Sequence, residues 1–144
     1  MPTTYVNYWK EISEKFQSKF REEFGNSMPV FIGEGDYSGN QFLKITPESN
    51  SLSERYVIGE LREYNFKFIY YFMDANIKKK ALIHMLRIIC RIESLIASNR
   101  RIALTNSTSI VNSIISSYNI IEGSEGYDYL IDINFTCQHL GNIS

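Results

Sequence analysis

Between Leu61 and Met73 the chain reads LREYNFKFIYYFM, and this stretch decides the fold. Tyr64, Phe66, Phe68, Tyr70 and Phe72 fall on alternate positions, and Asn65, Lys67, Ile69, Tyr71 and Met73 fill the positions between. Successive side chains of a strand point to opposite faces, so a period of two makes this a long strand with one aromatic face. Such a face needs a covering layer, and the sequence on either side supplies two amphipathic helices.

Upstream, from Thr4 to Phe24, Tyr5, Trp9, Ile12, Phe16, Phe20 and Phe24 recur every three or four residues among charged ones, which predicts a helix. Thr3 or Thr4 is placed to cap its start, and Gly25-Asn26 to close it in the left-handed conformation. Downstream, Asp74 or Asn76 is placed to cap a second helix running to about Asn99. Its stripe is Leu82, Met85, Leu86, Ile89, Ile92 and Ile96, widened by Ala81, Cys90 and Leu95.

Between the first helix and the aromatic strand, Pro29 to Gly33 and Gln41 to Thr46 read as short strands around the glycine-rich segment Gly33 to Gly39, most simply a hairpin. Pro47 should stop the second strand, and the aperiodic polar run Pro47 to Ser53 should be an exposed loop ending between Glu54 and Glu60, near Gly59. After a polar loop around Asn99 to Thr108, Ile110 to Glu122 is rich in β-branched residues and predicts a strand. The turn EGSEG follows (Glu122 to Gly126). Tyr127 to Cys137 then alternates, with Tyr127, Tyr129, Ile131, Ile133, Phe135 and Cys137 inward, which closes a hairpin.

These elements predict one α+β domain over residues 1–144, an antiparallel or mixed sheet with both helices packed on one face. The other face, carrying Lys67, Tyr71, Asp132, Asn134 and Thr136, would be polar and free for a partner or a lumen.

Composition narrows the class. The 144 residues are 44% hydrophobic and 14% aromatic, enough for a single buried core and too apolar for a disordered chain. With 15 Lys and Arg against 16 Asp and Glu the net charge is −1, which argues against a general polyanion binder. No run approaches the roughly 18 uncharged apolar residues of a membrane span, and Met1 to Lys10 lacks the layout of a secretory signal. Two cysteines, Cys90 and Cys137, suit a reducing compartment.

Catalytic chemistry has little to stand on. His84, within the second helix, and His139, in the C-terminal tail, form no zinc spacing with each other or with a cysteine. Cys90 on the apolar side of its helix and Cys137 inward on its strand read as small core residues. The segment Gly33 to Gly39 lacks the lysine and following helix of a phosphate loop and carries Glu34 and Asp36, which would repel phosphate. Those two carboxylates could hold a divalent cation or serve a hydrolase or nuclease, but a solvated turn is the simpler reading. The sequence therefore predicts neither an enzyme nor a cofactor or metal.

Charge is asymmetric along the chain. Lys78, Lys79 and Lys80 sit where a helix dipole disfavours cations, and Arg87, Arg91, Arg100 and Arg101 extend the basic region, with Glu93 the one acid between Ile77 and Glu122. A solvated face is the plain reading. A basic band could otherwise face passing DNA or an acidic edge of a neighbouring copy, supplied by Glu11, Glu14, Glu22, Glu23 and the Glu34/Asp36 turn, and the subunit contact is preferred.

The order of elements resembles the tail terminator, or tail completion, proteins of tailed bacteriophages. The matching pieces are the N-terminal helix; FLKITP (Phe42 to Pro47) with its polar loop; EYNFKFIYYF (Glu63 to Phe72); the helix ending IESLIASN (Ile92 to Asn99); and the pair IVNSIISSYNII and YDYLIDINFTC. The resemblance implies a structural virion protein, assembled in the host cytoplasm, that forms a ring, commonly a hexamer. Such a ring caps the tail tube and joins it to the head-proximal connector, with sheets lining the channel, helices outside and DNA passing through. Pro47 to Gly59 and Gly33 to Gly39 would then be contact segments, and Glu34, Asp36, Arg55, Lys67, Lys78, Lys79 and Lys80 the candidate subunit or tube contacts. Two other readings fit the sequence: a different neck or head-tail connector subunit, and a ligand-binding or regulatory module with a pocket between the first helix and the sheet.

Overall fold

A computed structural model describes residues 6–25, 28–33, 41–56, 59–73, 81–105, 108–123 and 128–142. Two helices, α1 (Tyr8–Phe24) and α2 (Ala81–Ser98), pack on a six-stranded sheet of β1 (Val30–Ile32), β2 (Gln41–Arg55), β3 (Gly59–Met73), β4 (Ile102–Ala103), β5 (Ser109–Glu122) and β6 (Asp128–Asn142). The strand order is β1-β2-β3-β6-β5-β4. Every pairing is antiparallel except β1 with β2. The fold is α+β with a mixed sheet, as the alternation of β3 and the two helical stripes require.

The aromatic face of β3 is the floor of the core. Phe66, Phe68 and Tyr70 are fully buried, alongside Ile131, Ile133, Phe135 and Cys137 of β6. Helix α1 lays Ile12, Phe16 and Phe20 on this floor. Phe16 meets Phe135 edge-on at 4.8 Å, Phe20 meets Phe68 at 5.3 Å, and Phe68 stacks on Phe135 at 4.7 Å between centroids, geometries that add to the gain from burial alone. Aromatic side chains thus fill the space between α1 and the sheet, where a ligand pocket had been one expectation.

Helix α1 begins later than the threonines suggest. Its cap is Asn7, whose Oδ1 accepts the Lys10 N–H at 3.1 Å. Gly25 closes it with φ +63°, its N–H donating to the Arg21 carbonyl, while Asn26 lies outside the described residues, as do Thr3 and Thr4.

Helix α2 is rotated from the expected stripe. Met85, Ile88, Ile89, Ile92 and Ile96 are buried, whereas Leu82, Leu86 and Cys90 are exposed. The helix is apolar over more than half its circumference, so the period alone cannot choose between adjacent stripes. Its expected caps Asp74 and Asn76 lie outside the described residues.

Three strand expectations are corrected. First, β1 and β2 are not a hairpin: Val30, Phe31 and Ile32 run parallel to Leu43, Lys44 and Ile45. A three-residue strand is only about 10 Å long, so eight residues suffice to return to its starting end. Second, Pro47 does not stop β2. The strand continues through PESNSLSER to Arg55, paired with β3, because Pro47 sits at a bulge between Pro47 and Ser49, where a missing N–H is tolerated. Third, the supposed loop after Asn99 contains β4, whose Ile102 is buried, and His139 belongs to β6 and not to a tail, since β6 pairs with β3 as far as Asn142.

Candidate functional site

Opposite the helices, the sheet presents a face ordered in rows across β2, β3, β6 and β5. One end row is Phe42, Tyr71, Leu130 and Ile121, with Phe42 stacked on Tyr71 at 5.2 Å. Four mainly polar rows follow: Lys44–Ile69–Asp132–Asn119, Thr46–Lys67–Asn134–Ser117, Ser49–Asn65–Thr136–Ile114 and Ser51–Glu63–Gln138–Val111. The far end row is Glu54, Leu61, Leu140 and Ser109. Lys67, Asp132, Asn134 and Thr136 lie on the polar part as expected, but Tyr71 belongs to an apolar end row.

The polar rows are knitted by side-chain bonds. Thr136 Oγ1 donates to Asn65 Oδ1 at 2.7 Å, and Asn65 Nδ2 donates to Ser49 Oγ at 3.0 Å, so one chain of bonds spans three strands. Asn134 Nδ2 donates to Ser117 Oγ at 2.9 Å, and Asn112 Nδ2 to Gln138 Oε1 at 2.7 Å. Lys67 Nζ lies 3.3 Å from Asp132 Oδ2, so this candidate contact is already neutralised within its own face. Lys44 and Lys67 against Asp132 and Glu63 give these four rows a formal balance of 2 − 2 = 0. Hydroxyls, amides and paired charges make a wettable lining with weak affinity for either sign of ligand.

The other candidate contacts do not converge on this face. Arg55 sits at the exposed end of β2, opposite Glu60. Glu34, Asp36, Lys78, Lys79 and Lys80 lie outside the described residues. Of the charges reserved for a neighbouring copy, several act within one chain. Arg91 of α2 bonds to Glu23 of α1 at 3.1 Å and lies over the Phe24 ring at 4.5 Å, and Glu11 accepts both the N–H and the hydroxyl of Thr105 at 2.7 Å.

Both histidines are held by the core. His84 Nε2 lies 3.1 Å from the Tyr70 hydroxyl, and burial with the nearby Arg87 lowers its pKa. His139 packs on Tyr8 at 4.1 Å between centroids, and burial lowers its pKa against the opposing pull of Glu11 and Glu60. Burial pushes the Cys137 thiol up to about 12, so it is no nucleophile, and Cys90 is exposed on α2 and not on its apolar side. Among the described residues no three His, Cys, Asp or Glu side chains gather as a metal would need. No described helix is long and apolar enough to cross a membrane.

What the sequence reading missed lies at the sheet's edges. Beyond Ile45, β2 has no strand on its outer side among the described residues, and β4 covers β5 only at Ser109 and Ile110. Ser113 N–H, at a bulge where Asn112 takes φ +53°, donates instead to the Arg100 carbonyl. A cavity of about 350 Å³ opens there between Ile96, Ala97 and Arg100 of the α2 end and Ser113 and Ile115 of β5. Ile114, Tyr118 and Ile121 are 56%, 39% and 50% exposed, a signal legible in advance as a strand whose only charge is its last residue, Glu122.

No protein-family model matches the chain, and no curated protein is similar to it. Among solved structures the chain is similar to one from the virion of a native gene transfer agent particle, at 10% identity and a TM-score of 0.56, with 91% of each chain covered. The likeness is one of fold, and it extends over nearly the full length of both chains.

Proposed function

We propose that this protein is a structural, non-enzymatic subunit of a phage-like virion, and more narrowly that it forms a ring, hexameric by analogy, capping the tail tube and joining it to the head-proximal connector. The observation that carries the reading is the fold likeness to a virion chain over 91% of both lengths. It is supported by the character of the free sheet face, whose polar rows balance their charges and are cross-bonded. A channel that DNA must traverse needs a wetted wall that does not grip phosphate, and a lining with equal numbers of opposite charges meets that need.

The test is light scattering behind a sizing column at several protein concentrations, alone and with tail-tube assemblies, followed by negative-stain images of any large fraction. Closed rings with a central hole are expected. A protein that stays monomeric and binds neither tube nor connector would remove the reading.

A further inference from the structure

We propose that copies of this chain join head to tail by strand addition, the uncovered edge of β2 (46–55) pairing antiparallel with the uncovered edge of β5 (114–122) of the next copy, in a register staggered by four rows. The proposal rests on the ring reading above and specifies its interface.

Direction comes first. β2 is antiparallel to β3, β3 to β6 and β6 to β5, so β5 runs opposite to β2 within one chain. A rotation about a ring axis keeps strand direction, so a neighbour's β2 arriving at β5 continues the alternation without a break. An even number of long alternating strands is the condition for this, and there are four. The contact joins two different edges, and a heterologous contact of this kind generates a ring where its rotation closes and an open filament where it does not.

The stagger follows from where each edge is covered. Among the described residues β1 covers β2 only at Leu43 to Ile45, while β4 and the Arg100 carbonyl cover β5 at Ser109, Ile110 and Ser113. The uncovered stretches therefore lie at diagonally opposite corners. Tyr118, at the centre of the β5 stretch, shares its row with Ile133, Phe68 and Ile45, four rows short of Asn50 at the centre of the β2 stretch, since the bulge after Pro47 adds a residue without a row. Joining the two stretches displaces each copy by roughly 13 Å along the strands for every 19 Å across four of them, at about 3.3 Å per row and 4.8 Å per strand. That displacement tilts the strands by roughly 35° from the ring axis, at the lower end of the range of about 35–45° found where sheets close into barrels. An arbitrary placement of the two short covering strands would have no reason to give this angle.

Side chains agree with the register. With Asn50 opposite Tyr118, Ser51 falls opposite Ser117 and Ser49 opposite Asn119, and all four belong to the face away from the helices. Leu52, 46% exposed on the helix-facing side, comes diagonally beside Tyr118, 39% exposed on the same side, within reach of cross-strand contact. The β5 stretch carries Ile114, Ile115, Tyr118, Ile120 and Ile121 and no lysine or proline, the devices that keep an open edge from pairing.

The experiment uses the whole chain with Cys90→Ser, bearing Ser51→Cys and Ser117→Cys, oxidised mildly and run on a denaturing gel without reductant. The two sites lie on opposite edges of the same sheet, too far apart to bridge within one copy. A ladder of covalent species beyond the dimer is expected, with either single cysteine stopping at the dimer and an unchanged melting temperature when reduced. Ser49→Cys with Asn119→Cys repeats the test should the first pair fold poorly. A ladder from Ser51→Cys with Val111→Cys, the unstaggered row, in place of the first pair would overturn the stagger. Rings seen by scattering with no ladder from either staggered pair would overturn the edge pairing and leave the ring reading standing. Monomers with no ladder, with or without tail tube, would overturn both.

Discussion

Tyr70 of β3 and His84 of α2 meet at 3.1 Å between the phenol oxygen and Nε2, and Gln41 of β2 accepts the same hydroxyl through its side-chain carbonyl. The three groups tie the start of β2, the end of β3 and the first turns of α2 at a point where apolar packing would otherwise be sealed. Burial raises the Tyr70 pKa, so the hydroxyl keeps its proton and remains a donor.

Tyr70→Phe removes that donor while leaving the ring in place. The Gln41 carbonyl and the histidine then lose a partner in a partly buried site, so the expected cost is about 1–2 kcal/mol in urea unfolding. An unchanged midpoint would mean that water replaces the phenol without loss.

Phe135→Ala is expected to cost far more, about 3–5 kcal/mol. Phe135 is 1% exposed, stacks on Phe68, receives Phe16 edge-on and lies 6.1 Å from the Phe66 ring, so its deletion opens a cavity bounded by three rigid aromatic groups that cannot close in. By contrast Ile114→Ser, at a side chain 56% exposed, should move the stability of the isolated chain by no more than about 0.5 kcal/mol. Equal effects at the two positions would show that the core does not lie between α1 and the β3–β6 floor.

Legibility in the sequence follows the same contrast. β3 and β6 announce themselves because one face is buried along their whole length, so burial writes a period of two into the residues. The second half of β2 is covered on neither face, and backbone bonds to β3 with polar side-chain bonds from Asn65 to Ser49 and Arg62 to Asn50 hold PESNSLSER in a strand, which leaves no apolar period to find. The parallel setting of β1 was hidden for another reason: it is fixed by α1, where Gln17 Nε2 donates to the Val30 carbonyl at 2.9 Å and Arg21 to the same oxygen at 3.3 Å. The candidate contacts fared likewise. Charged residues such as Lys67 and Arg91 stood out in the sequence yet are paired within the chain, whereas the open edge of β5 is made of serine, asparagine and isoleucine around Tyr118, with its one charge at Glu122.

The two cysteines should separate cleanly in a thiol titration. Cys90 is exposed and Cys137 fully buried, its thiol held protonated up to about 12. One equivalent is expected to react promptly in the native protein and the second only on unfolding, at a rate that reports opening of the β3–β6 region. Two fast equivalents would mean that the centre of β6 is open to solvent.

Acid should weaken the fold through its histidines before its carboxylates titrate. His84 and His139 both have pKa values below the ordinary 6.5, chiefly from burial, and among the described residues His139 Nε2 has no hydrogen-bond partner to stabilise a charge. The unfolded chain takes up these protons near pH 6.5 while the folded chain still excludes them, so the unfolded state binds more protons and stability rises with pH across that window. The histidine contribution is complete above pH 6.5 and declines as pH falls from there toward the lowered folded values, below which these two groups add no further slope. Urea midpoints at pH 7.5, 6.5 and 5.5 should therefore fall in that order, and His139→Phe, which keeps an aromatic ring against Tyr8, should flatten the decline. Midpoints that stay level or rise toward pH 5.5 would mean that Glu11 and Glu60 outweigh burial and hold the imidazole charged in the folded chain.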